Sequence, residues 1–183
     1  GVTLDRPGLV QAVLADPPNA VRQGWLRFQA DVMAEIVTAL REAVHAVSPG
    51  TRMGVMGSYC ETHFAEGRQW ARHMKAACGT SRPLFRPALG SYSQGDTDDI
   101  LGGINLARLT QAVAGADDDL APELENYPHT LFNKSQRLCE AQMVTAQLLG
   151  MNQITLSIFR FGGRLDLDPA AERMATMLRR LKP

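Results

Sequence analysis

Apolar residues recur at helical spacing between Gly24 and Val47. Trp25, Phe28, Val32, Ile36, Leu40 and Val47 fall three, four or seven positions apart, and Ser-Pro-Gly-Thr closes the run. The pattern predicts one long amphipathic helix. A shorter helix over about Pro7 to Leu14 precedes it, ended by the Pro17-Pro18 pair. After the long helix the pattern changes. Four short apolar runs punctuated by glycine or proline read as buried strands: "TRMGVMGSY", "PLFRPALGSY", "DLAPELENY" and "QITLSIFRFGG". Pro87 marks an edge or irregularity in the second run.

Helical stretches separate the strands. They are residues 64–77, a segment with Thr97 as a candidate cap that closes on Gly115, and "KSQRLCEAQMVTAQLLG", which ends in Gly150. The last, "DPAAERMATMLRRLK", opens on Asp168 and Pro169, a cap followed by proline at the first helical position. Strand and helix thus alternate four times behind a leading long helix. Such alternation predicts an α/β fold with a parallel sheet and right-handed crossovers. A closed barrel of eight such units takes about 250 residues. The 183 residues here suit a single domain built as a (β/α)4 unit, an open sheet or half of a TIM barrel.

The segments that follow the strands hold the chemistry. "GSYCETH", "GSYSQGDTDD", "ENYPHTLFNKS" and "FRFGGRLDLD" are polar and aromatic, and parallel α/β folds keep their sites at the carboxyl ends of strands. In the third strand the alternation of β structure puts Ala121, Glu123 and Glu125 on one side. Two acids sharing the inner face of a strand are costly unless that face lines a site.

Composition narrows the picture by exclusion. Lys plus Arg and Asp plus Glu number 19 each, so no excess charge points to nucleic acid or an anionic membrane. Three cysteines, Cys60, Cys78 and Cys139, are an odd count without paired spacing, which favours free thiols and a cytoplasmic setting. No apolar run approaches the ~20 residues of a membrane span, and no signal-peptide core is found at the N-terminus. Cys60, His63, His73 and Cys78 match no compact zinc-ligand spacing, so neither a metal nor another cofactor is expected.

Two segments carry a family resemblance. "WLRFQADVMAEIVTALREAVHAVSPGTRMGVMGSY" resembles the part of family 42 β-galactosidases in which an Arg-Phe-Gln helix leads into the fifth barrel strand. "LAPELENYPHTLFNKSQRLCEAQMVTAQLLGMNQITLSIFRFGG" resembles the seventh and eighth units of the same (β/α)8 barrels, where a Glu-x-x-Pro stretch ends strand seven. The resemblance implies that the four strands here are strands five to eight, spanning residues 1–183 as one partial barrel. It implies a retaining glycoside hydrolase acting on carbohydrate, with Glu125, three residues before Pro128, as the nucleophile. The family's acid/base is a glutamate preceded by asparagine at the end of strand four, and this sequence contains no Asn-Glu pair. The chain by itself is therefore expected to hydrolyse glycosides poorly.

Retaining glycosidases set two carboxyls about 5–5.5 Å apart, and the nucleophile must stay ionised. Donors or cations should therefore flank it. Asn126, Tyr92 and Arg160 fit, and Glu123, His129 and Tyr59 complete the expected substrate-binding set. Tyr127, Phe159 and Phe161 are further aromatics at strand ends that suit sugar faces. Each has a plainer use: Tyr59 and Tyr92 as packing residues with anchored hydroxyls, Arg160 as the neutraliser of a core acid, His129 as an exposed loop residue. A phosphate-binding half-barrel of isomerase or aldolase class, using Gly162 and Gly163, is a second reading. It lacks a lysine in any predicted strand. A non-catalytic carbohydrate-binding domain is a third. A homodimer would hide the exposed strand edges of a half-barrel.

Overall fold

The computed structural model describes residues 3–90, 92–115, 117–127, 133–158 and 169–180, with the side chains at 96–98, 169, 170 and 173 left out. The fold is mixed α/β, and among the described residues every strand pairing is parallel. Two compact units are present: residues 1–53 with 59–81, and residues 54–58 with 82–183.

The first unit is helical. Helix α1 (Arg6–Leu14) is capped by Asp5, whose carboxylate accepts from Gly8 N–H, and α2 runs from Ala20 to Val47. The long helix thus starts four residues earlier than its apolar period suggests. Asn19 is the reason: its Oδ1 accepts from Arg22 N–H while its Nδ2 donates to the Ala12 carbonyl of α1. The single helix expected over 64–77 is two, α3 (Cys60–Ala65) and α4 (Trp70–Cys78). Gly67 separates them with a φ of +80°, and a Cβ there would lie 2.5 Å from the Leu26 carbonyl oxygen. Helix α4 packs on α2 and buries Trp70, His73, Met74 and Ala77.

The second unit holds the strands. They are β1 (Val55–Met56), β2 (Leu84–Arg86), β3 (Asp119–Leu120), β4 (Glu123–Glu125) and β5 (Thr155–Ser157). β1, β2 and β3 pair in that order, β4 pairs with β5, and a parallel bridge from Ala88 to Glu123 joins the two groups. The single strand expected over "DLAPELENY" is split at Pro122. Ala121 and Glu123 donate toward the β2 side, to Phe85 and Pro87, whereas residue 122 faces β5, where proline has no N–H to give. Counted as one stave, β3 and β4 make a row of four parallel staves in chain order. Helices α5 (Ile100–Val113), α6 (Gln136–Leu148) and α7 (Pro169–Arg180) complete the unit, and a 3-10 turn (Gln94–Asp99) leads into α5. Asp99 precedes α5 without capping it through its side chain. Thr97, expected as the cap of this helix, instead falls within the 3-10 turn, and the cap expected at Asp168 lies outside the described residues.

Phe85 and Leu124 on the strands are fully buried, with Ala107, Met143 and Met177 of the three helices. These apolar residues form the core of the unit. The opposite strand parity carries Met56, Arg86, Glu123, Glu125 and Thr155, all exposed or half-buried. No helix among the described residues is long and apolar enough to cross a membrane.

Candidate functional site

Glu125 is the last residue of β4, opposite Ser157 of β5. Its neighbour Leu124 has no exposed surface, while Glu123 and Glu125 are both half-buried on the other face. The alternation that makes Leu124 a core residue thus sends both carboxylates away from the helices. Glu123 receives the Arg86 guanidinium, donated from β2 by Nη1. The deeper of the two acids is therefore neutralised within the sheet.

Asn126 follows directly. Its N–H donates to the Ser157 carbonyl at 3.0 Å and its Nδ2 to the Ile158 carbonyl at 3.3 Å, which pins the end of β4 to the end of β5. Its Oδ1 accepts from the Cys139 thiol of α6 at 3.7 Å. Burial pushes the Cys139 thiol above the usual range, and the nearby Lys134 charge and the Asn126 hydrogen bond oppose that only in part. Lys134 is only 8 % exposed, and its Nζ donates to the Glu125 carbonyl at 3.1 Å. A cation thus stands at the base of the Glu125 peptide.

Asn133 gathers the loops. Its Nδ2 donates to the Tyr92 carbonyl after β2 and to the Tyr127 carbonyl after β4. Its own carbonyl accepts from Gln94 N–H, and the Gln94 side chain accepts from Ser135 N–H, where Ser135 caps α6. These bonds draw Tyr92, Glu125, Asn126 and the exposed Tyr127 to one end of the staves. Tyr59 is half exposed at the start of α3 and belongs to the other unit. His129, Arg160, Phe159, Phe161, Gly162 and Gly163 lie outside the described residues.

The sequence reading passed over Arg86 and Lys134. Arg86 had no readable signal, because parity within its own strand sets it with Leu84 and opposite Phe85 but does not say which face the acids of another strand share. Lys134 had none, because a lysine beside a helix cap is ordinarily solvated. Cys60, Cys78 and Cys139 are free thiols, and no three His, Cys, Asp or Glu side chains among the described residues group as a metal-holding set. Compared with known proteins, the chain matches no family model, no curated protein and no solved structure.

Proposed function

We propose that the chain is the C-terminal half of a (β/α)8 barrel of the retaining, β-galactosidase-like glycoside hydrolases, with Glu125 as its nucleophile. The observation that carries this reading is Glu125 itself, half-buried at the carboxyl end of β4 on the face turned away from the core. The sequential parallel order of the staves supports it, as strands five to eight of a barrel follow one another in that way. Asn126, Tyr92 and the exposed Tyr127 provide donors and a ring for a sugar at the same end. Arg160, His129 and Tyr59 join the substrate-binding set by the resemblance alone. Free cysteines fit a cytoplasmic setting.

In this chemistry the Glu125 carboxylate attacks the anomeric carbon, the bond to the leaving oxygen breaks, and a glycosyl ester forms. An ordinary alkoxide leaving group needs a proton from a second carboxyl, which this sequence does not supply. A 2,4-dinitrophenolate leaves without one. The test is therefore 2,4-dinitrophenyl 2-deoxy-2-fluoro-β-galactoside, read by intact mass and peptide mapping. The expected result is a single covalent adduct on Glu125, absent from Glu125→Gln. An adduct on another residue, or none on the wild type, overturns the reading.

A further inference from the structure

The end of β4 is held from two consecutive residues, Asn133 and Lys134. Ala121 and Glu123 send their N–H groups to Phe85 and Pro87, on the β2 side. A residue in a parallel ladder turns its N–H and its carbonyl to the same side, so the Glu125 carbonyl also points toward β2. The extended backbone there ends at Gly90, whose φ is +76°. At this point the Lys134 ammonium donates to the Glu125 carbonyl at 3.1 Å, as the next residue of a strand would. The ammonium is carried by a side chain only 8 % exposed, a costly place for a charge unless its donors are used. Asn133 holds two other peptides. Its Nδ2 carries two hydrogens, and they go to the Tyr92 and Tyr127 carbonyls. Its own carbonyl takes the Gln94 N–H at 2.9 Å, which fastens the segment after β2 a second time.

We infer, resting on the glycosidase reading above, that Asn133 and Lys134 are the positioning residues of this site and divide the task between them. Lys134 fixes the peptide of the nucleophile Glu125. Asn133 fixes the Tyr92 and Tyr127 peptides, and with them the rings that meet the sugar. Both act through the groups they hold and not by touching the substrate. Reacting and binding groups must be kept within about 0.5 Å of their working places, and supporting hydrogen bonds do this. The division follows from what each bond restrains. A Glu125 peptide freed on the β2 side lets the carboxylate swing off the line of attack, which slows bond formation and leaves sugar binding intact. Two tyrosine peptides freed from each other weaken the grip on the sugar and leave the line of attack in place.

Release of 2,4-dinitrophenolate from the same fluorosugar, followed at several concentrations, gives the labelling rate constant kinact and the binding constant KI separately. Lys134→Met keeps the stem and removes the donor. It should lower kinact about tenfold, the equivalent of one lost hydrogen bond, with KI near that of the wild type. Lys134→Gln supplies an N–H again and should recover part of kinact. Asn133→Asp turns both donors into acceptors that face two carbonyls. It should raise KI about tenfold on the same basis, with kinact little changed. A purely structural role would move the two constants together in both proteins. Far-UV spectra and urea midpoints show which variants fold. Lys134→Gln and Asn133→Ser carry the test where Lys134→Met or Asn133→Asp does not, with smaller changes in the same constants. A labelled wild type whose variants match it, or whose variants lose both constants together, overturns this inference and leaves the glycosidase reading standing. A wild type that takes no label on Glu125 overturns both.

Discussion

At the scale of single residues, two adjacent glycines of α5 separate propensity from packing. A helix interior ordinarily favours alanine over glycine by about 1 kcal/mol. A Cβ on Gly103 would lie 1.7 Å from the Leu89 carbonyl oxygen, which is backbone and cannot move aside. On Gly102 it would meet only the end of the Asp99 side chain, at 2.9 Å. Gly103→Ala should therefore destabilise the unit by about 1–3 kcal/mol, as overpacked sites do. Gly102→Ala should be neutral or stabilising by up to about 1 kcal/mol. Urea denaturation midpoints of the two variants read the difference, and equal midpoints would contradict the close approach. The sequence shows only "LGG", with nothing to tell which glycine faces a neighbouring backbone. Glu123 and Glu125 were more legible, because period-two alternation alone sets them on one face. Their partners were not: Arg86 lies on another strand, and only the register of β2 on β3 brings it within reach of Glu123.

Elements were legible in type and order, and misjudged where one residue ends or splits them. The apolar period of α2 marks Phe28, Ile36 and Leu40, yet these are about half exposed, and the buried residues are Ala30 and Ala34. Small side chains let the α4 backbone come close. Arg41 of α2 then reaches the Ala76 carbonyl at 2.8 Å. A pattern read by hydrophobicity alone finds the larger residues and misses the contact face. The start of α2 was lost for a similar reason, since the signal there is a cap and not a period. Asn19 bonds both to α2 and back to α1. Asn19→Ala should cost about 0.5–2 kcal/mol. Asn19→Asp keeps the acceptor for Arg22 N–H and loses the donor to Ala12, so it should fall between wild type and alanine. Thermal melts of the three proteins give the order, and an aspartate variant no better than alanine would show that the tie to α1, and not the cap, sets the helix start.

For the whole molecule, the division into two units has a consequence in pH. His63 and His73 are buried in the first unit, at 7 % and 3 % exposure. Trp70 Nε1 donates to His63 Nδ1 at 3.0 Å, so that nitrogen carries no proton, and Nε2 stands 3.4 Å from Arg68 Nη1. An imidazolium there would meet a donor at each ring nitrogen. Burial first, and then Arg68, hold His63 below the ordinary histidine range; burial likewise lowers His73, and its bond to the Ala30 carbonyl opposes this only in part. In the unfolded chain both protonate near the ordinary pKa of about 6.5. Their contribution to stability is therefore complete above about pH 6.5 and declines below it, by up to about 1.4 kcal/mol per pH unit for each histidine, until the folded groups themselves protonate. Hydrogen exchange at pH 7.5 and 5.5, corrected for the intrinsic rate, should show protection lost in α4 and kept in α6, with the loss reduced in His73→Gln. A fall of equal size in both helices would mean that the histidines do not govern it. The sequence disclosed the four histidines, but not that His63 would be enclosed by Trp70 and Arg68, because that enclosure depends on the turn at Gly67 between α3 and α4.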